Sequence, residues 1–158
     1  MKKIILTFAL TIISTVVYAN SGKFNASGMW SWEMNIMNAG NGNMAITYDG
    51  NAGLADKDPN SIFDKSTMNC VGGLTLVSGK FEDETGMCTF YLSDGEKVFI
   101  NYKGKGTGDQ GGSGTFTIVG GTGKYEKITG SGFSSRQNLK GKSGFAHSMN
   151  QMSGEYTY

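Results

Sequence analysis

After the first twenty residues, apolar side chains return at every second position rather than every third or fourth, a pattern that predicts β-strands and no amphipathic helix. Trp30, Trp32, Met34 and Ile36 share one face of a strand, and Ser31, Glu33 and Asn35 share the other. Met44, Ile46 and Tyr48 repeat the alternation after the turn-rich stretch 38–43. Further strands are predicted near 62–70, 74–77, 88–92 and 98–102, around Phe116 and Ile118, and near 130–138 and 152–158. Residues 54–60 read as a polar connector holding the sole proline, Pro59, and 124–129 as one short helical turn. Ser93-Asp94-Gly95-Glu96 sets Asp-Gly between two apolar runs, a strong hairpin signal. A three-residue loop centred on Gly79 places Cys70 opposite Cys88, although the same register sets Leu74 and Leu76 against Glu84 and Glu82. Eight or nine short strands without a domain linker predict a single antiparallel barrel or sandwich.

Residues 1–19 have the layout of a secretory signal peptide. Lys2 and Lys3 form a positive start, an apolar run covers 4–17, and the small residues Val17 and Ala19 flank Tyr18 at the expected cut. The apolar run is shorter than the about 20 residues of a membrane span, and polar Asn20, Ser21, Gly22 and Lys23 follow it. The expected organisation is therefore a leader at 1–19 and a barrel domain at 20–158, exported to the periplasm or beyond the cell, with no membrane span in the mature part. Removing 19 residues from 158 leaves 139, and loss of Lys2 and Lys3 takes 14 basic side chains to 12 against 13 acidic ones.

Composition narrows the function classes. A formal charge of +1 argues against a protein that binds nucleic acid through phosphates. One His and two Cys do not build a zinc cluster, so no metal and no cofactor is expected. The 25 glycines all follow residue 19 while proline is almost absent, which fits neither collagen nor a disordered tract. They suit the turns, bulges and corners of a closed sheet. Cys70 and Cys88, an even pair in an exported chain, predict one disulfide. Their spacing is far from the C-x-x-C of a redox centre.

The remaining motifs carry little chemistry. Residues 106–111 match G-x-G-x-x-G, but no helix follows to receive a pyrophosphate. Gly123-Lys124 echoes the end of a phosphate-binding loop, yet Ile118 stands where its first glycine belongs and Tyr125 where Ser or Thr belongs. His147, the only imidazole, has no G-x-S-x-G elbow and reads as a surface residue. Arg136, the sole arginine, reads as a solvated outward side chain, with binding of a ligand carboxylate inside a barrel as the alternative. Glu82-Asp83-Glu84, with Asp94 and Glu96, reads as charge on a solvated turn, its spacing unlike a calcium loop. No catalytic residue is assigned.

The segment Gly-Thr-Phe-Thr-Ile-Val-Gly-Gly-Thr-Gly-Lys-Tyr-Glu-Lys-Ile-Thr-Gly-Ser-Gly-Phe, residues 114–133, resembles the signature of the allene oxide cyclase-like barrel proteins, the superfamily that includes the plant dirigent proteins. The resemblance is nearest to exported bacterial members without an assigned activity. It implies an eight-stranded calycin-like barrel with an apolar interior, and the residues themselves agree, with Tyr125 able to cap the barrel mouth. It carries over no catalytic residue. Trp30, Trp32, Tyr48, Phe116 and Tyr125 are the candidate ligand-lining residues, in a barrel that either encloses a small apolar or aromatic ligand or is simply filled by these side chains. Three readings follow: a non-enzymatic binding protein, a cyclase or isomerase acting through pocket shape, and a structural or surface-interaction protein.

Overall fold

The computed structural model describes residues 19–141 and 146–158, so the expected leader at 1–19 lies almost wholly outside the described residues. Eight strands form a closed antiparallel barrel in sequential order: β1 (Ser21–Gly40), β2 (Asn43–Asp56), β3 (Thr67–Leu76), β4 (Lys80–Tyr91), β5 (Lys97–Thr107), β6 (Gly111–Gly121), β7 (Thr129–Leu139) and β8 (Ala146–Thr157). Closure leaves no neighbour missing along most of the sheet, the condition a twisted antiparallel sheet of this size meets most simply by meeting its own first strand. β1 pairs with β8 from Ser21 to Trp32, whereas its pairing with β2 continues to the turn at Gly40. The β1–β2 hairpin, backed by the end of β3, thus rises above the barrel rim.

Strand ends moved relative to the sequence pattern where polar residues continue a ladder. The stretch 62–66 belongs to a connector, and the predicted strands at 62–70 and 74–77 merge into β3. The helical turn is a short 3-10 segment, Gly123–Tyr125. The β3–β4 turn has two residues rather than three: Val77 and Lys80 exchange backbone hydrogen bonds around Ser78 and Gly79, both with positive φ. Cys70 nevertheless faces Cys88, because a bulge between Phe81 and Glu84 restores the register. The two cysteines form a disulfide inside the barrel, with Cα atoms 4.0 Å apart.

The barrel is packed at one end and open at the other. At the packed end the β2–β3 connector folds inward and buries Phe63 completely. Its ring centre lies 4.4 Å from Phe24, 4.8 Å from Phe90 and 5.6 Å from Tyr156. Ser66 Oγ donates to the Phe63 carbonyl and Leu54 N–H donates to the Ser66 carbonyl, so the plug is tied to the strands on both sides. The segment 114–133 supplies β6, the 3-10 turn and the start of β7, and it closes this same end. Tyr125 packs edge-on to Tyr158 at 4.7 Å and donates its hydroxyl to Asp94 in the β4–β5 hairpin.

Candidate functional site

At the open end the alternation of β1, β2 and β3 points Met34, Met44, Ile46, Leu74 and Leu76 into the lumen, where with Phe81 of β4 they form an apolar collar. The collar encloses a cup of about 260 Å³. Trp32 forms its wall. One face of the Trp32 ring stacks on Trp30 at 4.7 Å and 10°, and Trp32 meets Tyr48 edge-on at 4.9 Å. Trp32 Nε1 donates to Ser148 Oγ, and the Trp30 indole donates to the Asn150 amide oxygen once that amide is oriented to suit its neighbours. Both indoles are thereby held by β8, which leaves the outer part of Trp32 turned to the cup.

The floor of the cup is polar. Arg136 of β7 pairs with Glu84 of β4 through Nη1 and Oε1, and its guanidinium lies 5.3 Å from the Phe81 ring centre. Tyr48 donates to Glu84 Oε1 at 2.6 Å, and the Tyr48 and Tyr102 hydroxyls are 2.7 Å apart. Because the one Tyr48 proton is committed to the carboxylate, Tyr102 donates to Tyr48, giving a directed relay Tyr102 to Tyr48 to Glu84. Glu84 is only 4% exposed, while Arg136 keeps contact with solvent at the mouth. Among the described residues the guanidinium makes one hydrogen bond, so its other donors are available to an occupant of the cup.

Two expectations about charge are corrected here. Arg136 does not point outward: it shares the inward face of β7 with Gly130, Gly132 and Ser134, while the large apolar residues of that strand, Phe133 and Leu139, are exposed outside. Glu84 does not sit on a solvated turn. The bulge at Glu82-Asp83 lets Phe81 and Glu84 both face inward although they are three residues apart, and Asp83 instead accepts from the Thr75 N–H outside. The β3–β4 pairing ends at Gly73 and Thr85, beyond which Leu74 joins the apolar collar and Glu84 the polar floor.

Space for these groups comes from glycine. A Cβ on Gly50 would strike the Trp32 ring at 2.0 Å, and one on Gly72 or Gly86, which face each other across β3 and β4, would strike the Tyr102 hydroxyl at 2.2 and 2.4 Å. At Gly104 it would meet Glu84 Oε2 at 2.6 Å. Below the floor a second chamber of about 50 Å³ is bounded by Trp30, Ile100, Phe116, Met152 and the disulfide, and on the β5–β6 side by Gly104, Gly112 and Gly114.

Of the residues proposed to line a ligand, the structure gathers Trp32 and Tyr48 at the cup, with Trp30 behind Trp32; Phe116 stands in the wall of the inner chamber and Tyr125 at the closed end. Glu84 and Tyr102 are not among them, and Arg136 enters through its alternative reading, a guanidinium inside the barrel. His147 sits in β8 on the outer face, its Nδ1 3.0 Å from Ser31 Oγ. Among the described residues no cluster of His, Cys, Asp and Glu is arranged to hold a metal ion.

Burial keeps the floor phenols neutral. Tyr102 is pushed up from 10.0 to about 12, first by desolvation and then by the Glu84 charge, with the Arg136 charge opposing. Tyr48 is raised further, by desolvation first and then by Glu84 and Tyr102. An acid whose folded-state pKa is raised favours folding fully below its unfolded value and loses that contribution as pH climbs through the folded one. Stability is therefore expected to fall between about pH 10 and pH 12, by up to about 1.4 kcal/mol per pH unit for each such phenol. Denaturant titrations across the alkaline range, compared with Tyr102→Phe, measure this; an equal alkaline loss in both proteins would assign it elsewhere.

No protein-family model matches the chain. No curated protein sequence matches it. Among solved structures it is similar to the pterocarpan synthase dirigent protein GePTS1, with a TM-score of 0.50 and 15% identity over 96% of this chain and 100% of that one. At that identity the likeness establishes the fold, an eight-stranded dirigent-type barrel, and agrees at that level with the resemblance read from residues 114–133.

Proposed function

We propose that the chain is an exported binding protein whose barrel mouth takes a small ligand with an apolar or aromatic body and an oxygen acceptor at one end. The observation that carries this reading is the pairing of an open apolar collar with a guanidinium at its base that, among the described residues, has donors unused. The body would lie against Trp32 and the collar, and the oxygen would accept from Arg136. The cup, about 260 Å³, is at the small end of ligand clefts, which run from about 300 Å³ upward. A one-ring compound or a short chain suits it better than a long lipid. The disulfide and the leader-like residues 1–19 support export, and an N-terminus at Asn20 on protein recovered from its source is the expected result.

Trp32 borders the cup and Trp30 stacks directly behind it, so intrinsic fluorescence reports on occupancy. Titration with primary alcohols and simple aromatic alcohols is expected to give saturable changes that Arg136→Lys weakens. Fluorescence that drifts linearly with every compound, without saturation, would remove the support for a binding site.

The relay from Tyr102 to Glu84 favours a second reading, a cyclase or isomerase that positions its substrate by pocket shape and exchanges a proton with the floor. In that case Glu84→Gln would retain ligand binding and lose turnover. If Glu84→Gln left turnover of a converted ligand unchanged, the relay would have no part in the chemistry.

A further inference from the structure

The lumen of the barrel is not one space. The cup of about 260 Å³ and the inner chamber of about 50 Å³ share two bordering side chains, Trp32 and Arg136. Trp32 is fixed by its stack on Trp30 and by Ser148, so it stands at the side of both spaces rather than between them. Arg136 is different. It leaves β7 at a point where its neighbour on β6 is Gly112, which has no side chain, and it crosses toward Glu84 of β4 on another part of the wall. The Phe81 ring braces the guanidinium 5.3 Å from its centre, and Glu84 anchors its far end. A side chain rooted in one strand and held at its tip by two groups of another acts as a crossbar.

Below the crossbar the chamber is largely apolar, with Trp30, Ile100, Phe116, Met152 and the disulfide around it, and Glu84, Tyr102 and Asn150 as its polar border. An apolar chain entering from the mouth would find favourable surface there, but the guanidinium stands in its path. Displacing the guanidinium would break a bond to a carboxylate that is 4% exposed, which is costly in a low-dielectric site.

We propose that Arg136 is the specificity-determining residue of the cup: it divides the lumen, and it limits occupants to molecules short enough to end against its guanidinium with an oxygen leading. This rests on the binding reading above and adds to it a length limit and a residue that sets it.

The test is a homologous series of straight-chain primary alcohols, titrated against the full protein by tryptophan fluorescence and calorimetry. In the wild-type protein affinity is expected to tighten about fourfold for each added methylene, the factor that about 0.8 kcal/mol per buried CH₂ gives, and then to level off once the cup is full. Arg136→Ala alone strands Glu84, so the opening variant is Glu84→Gln/Arg136→Ala, which removes both charges. Its control is Glu84→Gln/Arg136→Met, which removes the same charges but keeps a long side chain across the lumen. Tightening is expected to continue to longer alcohols in the Ala variant and to stop at the wild-type length in the Met variant. If wild type binds the series and both variants level off at the same length, Arg136 does not set the limit, while the binding reading stands. If no alcohol binds saturably to any of the three proteins, the binding reading itself fails and the length limit with it.

Discussion

Arg136→Ala is expected to destabilise the fold by about 3 kcal/mol, the low end of the range for removing one partner of a buried ion pair. The low end applies because Arg136 keeps some contact with solvent while Glu84 has almost none. The loss is not the worth of the contact. It is the cost of leaving a carboxylate inside the barrel with only Tyr48 bonded to it. For a chain of this size the melting temperature should drop by about 6–12 °C. Glu84→Gln/Arg136→Met removes both charges at similar volume and should recover most of the stability, since an apolar or neutral replacement of a whole buried pair is often neutral or better. Thermal melts of wild type, the single variant and the double variant decide the matter. A single variant that melts with wild type, or a double variant no better than the single, would mean that the pair is solvated in practice and that the floor is not a low-dielectric site.

The second large effect belongs to the Cys70–Cys88 bridge, which joins adjacent strands eighteen residues apart in sequence. Constraining the unfolded chain over a loop of that length is worth about 3 kcal/mol in the loop-entropy model. Cys70→Ala/Cys88→Ala should therefore melt several degrees lower and still fold, because a barrel of this size builds its core without staples. The remaining seal does not depend on the bridge: Phe63 and the aromatic rings around it stay in place. Equal melting temperatures for the oxidised protein and the double variant would show that the bridge adds nothing. Complete unfolding of the variant would show that the aromatic plug cannot hold the barrel closed.

The strands were legible because side chains in β-structure alternate with period two, and Trp30 with Trp32, or Phe116 with Ile118, declare a face without further help. The Cys70–Cys88 apposition was legible from Gly79 although the turn itself is tighter, since a one-residue bulge compensates for the one-residue difference in the loop. The polar floor was not. In β7 the inward face is built of Gly130, Gly132, Ser134 and Arg136, and the outward face carries Phe133, so a hydrophobic reading of that strand inverts it. Gly132 must face inward because the Phe116 ring occupies the place of its side chain, and a pairing of large residues with small ones across strands is the signal that would have fixed the parity. Glu84 was hidden by a different cause. Counting by twos from Phe81 lands on Asp83, and only the bulge brings Glu84 to the inner face.

The glycine-faced side of the barrel has a mechanical consequence. Where Gly104 faces Gly114 and Gly106 faces Gly112, β5 and β6 send no side chain of their own into the barrel, and the Phe81 ring and the Glu84 carboxylate of β4 lie against that bare backbone. A Cβ at Gly106 or Gly112 would meet the Phe81 ring at 2.9 or 2.8 Å, so an added methyl group at either place has to move that ring. The seam thus works as a lever: a change at Gly106 or Gly112 is passed through Phe81 to the guanidinium it braces.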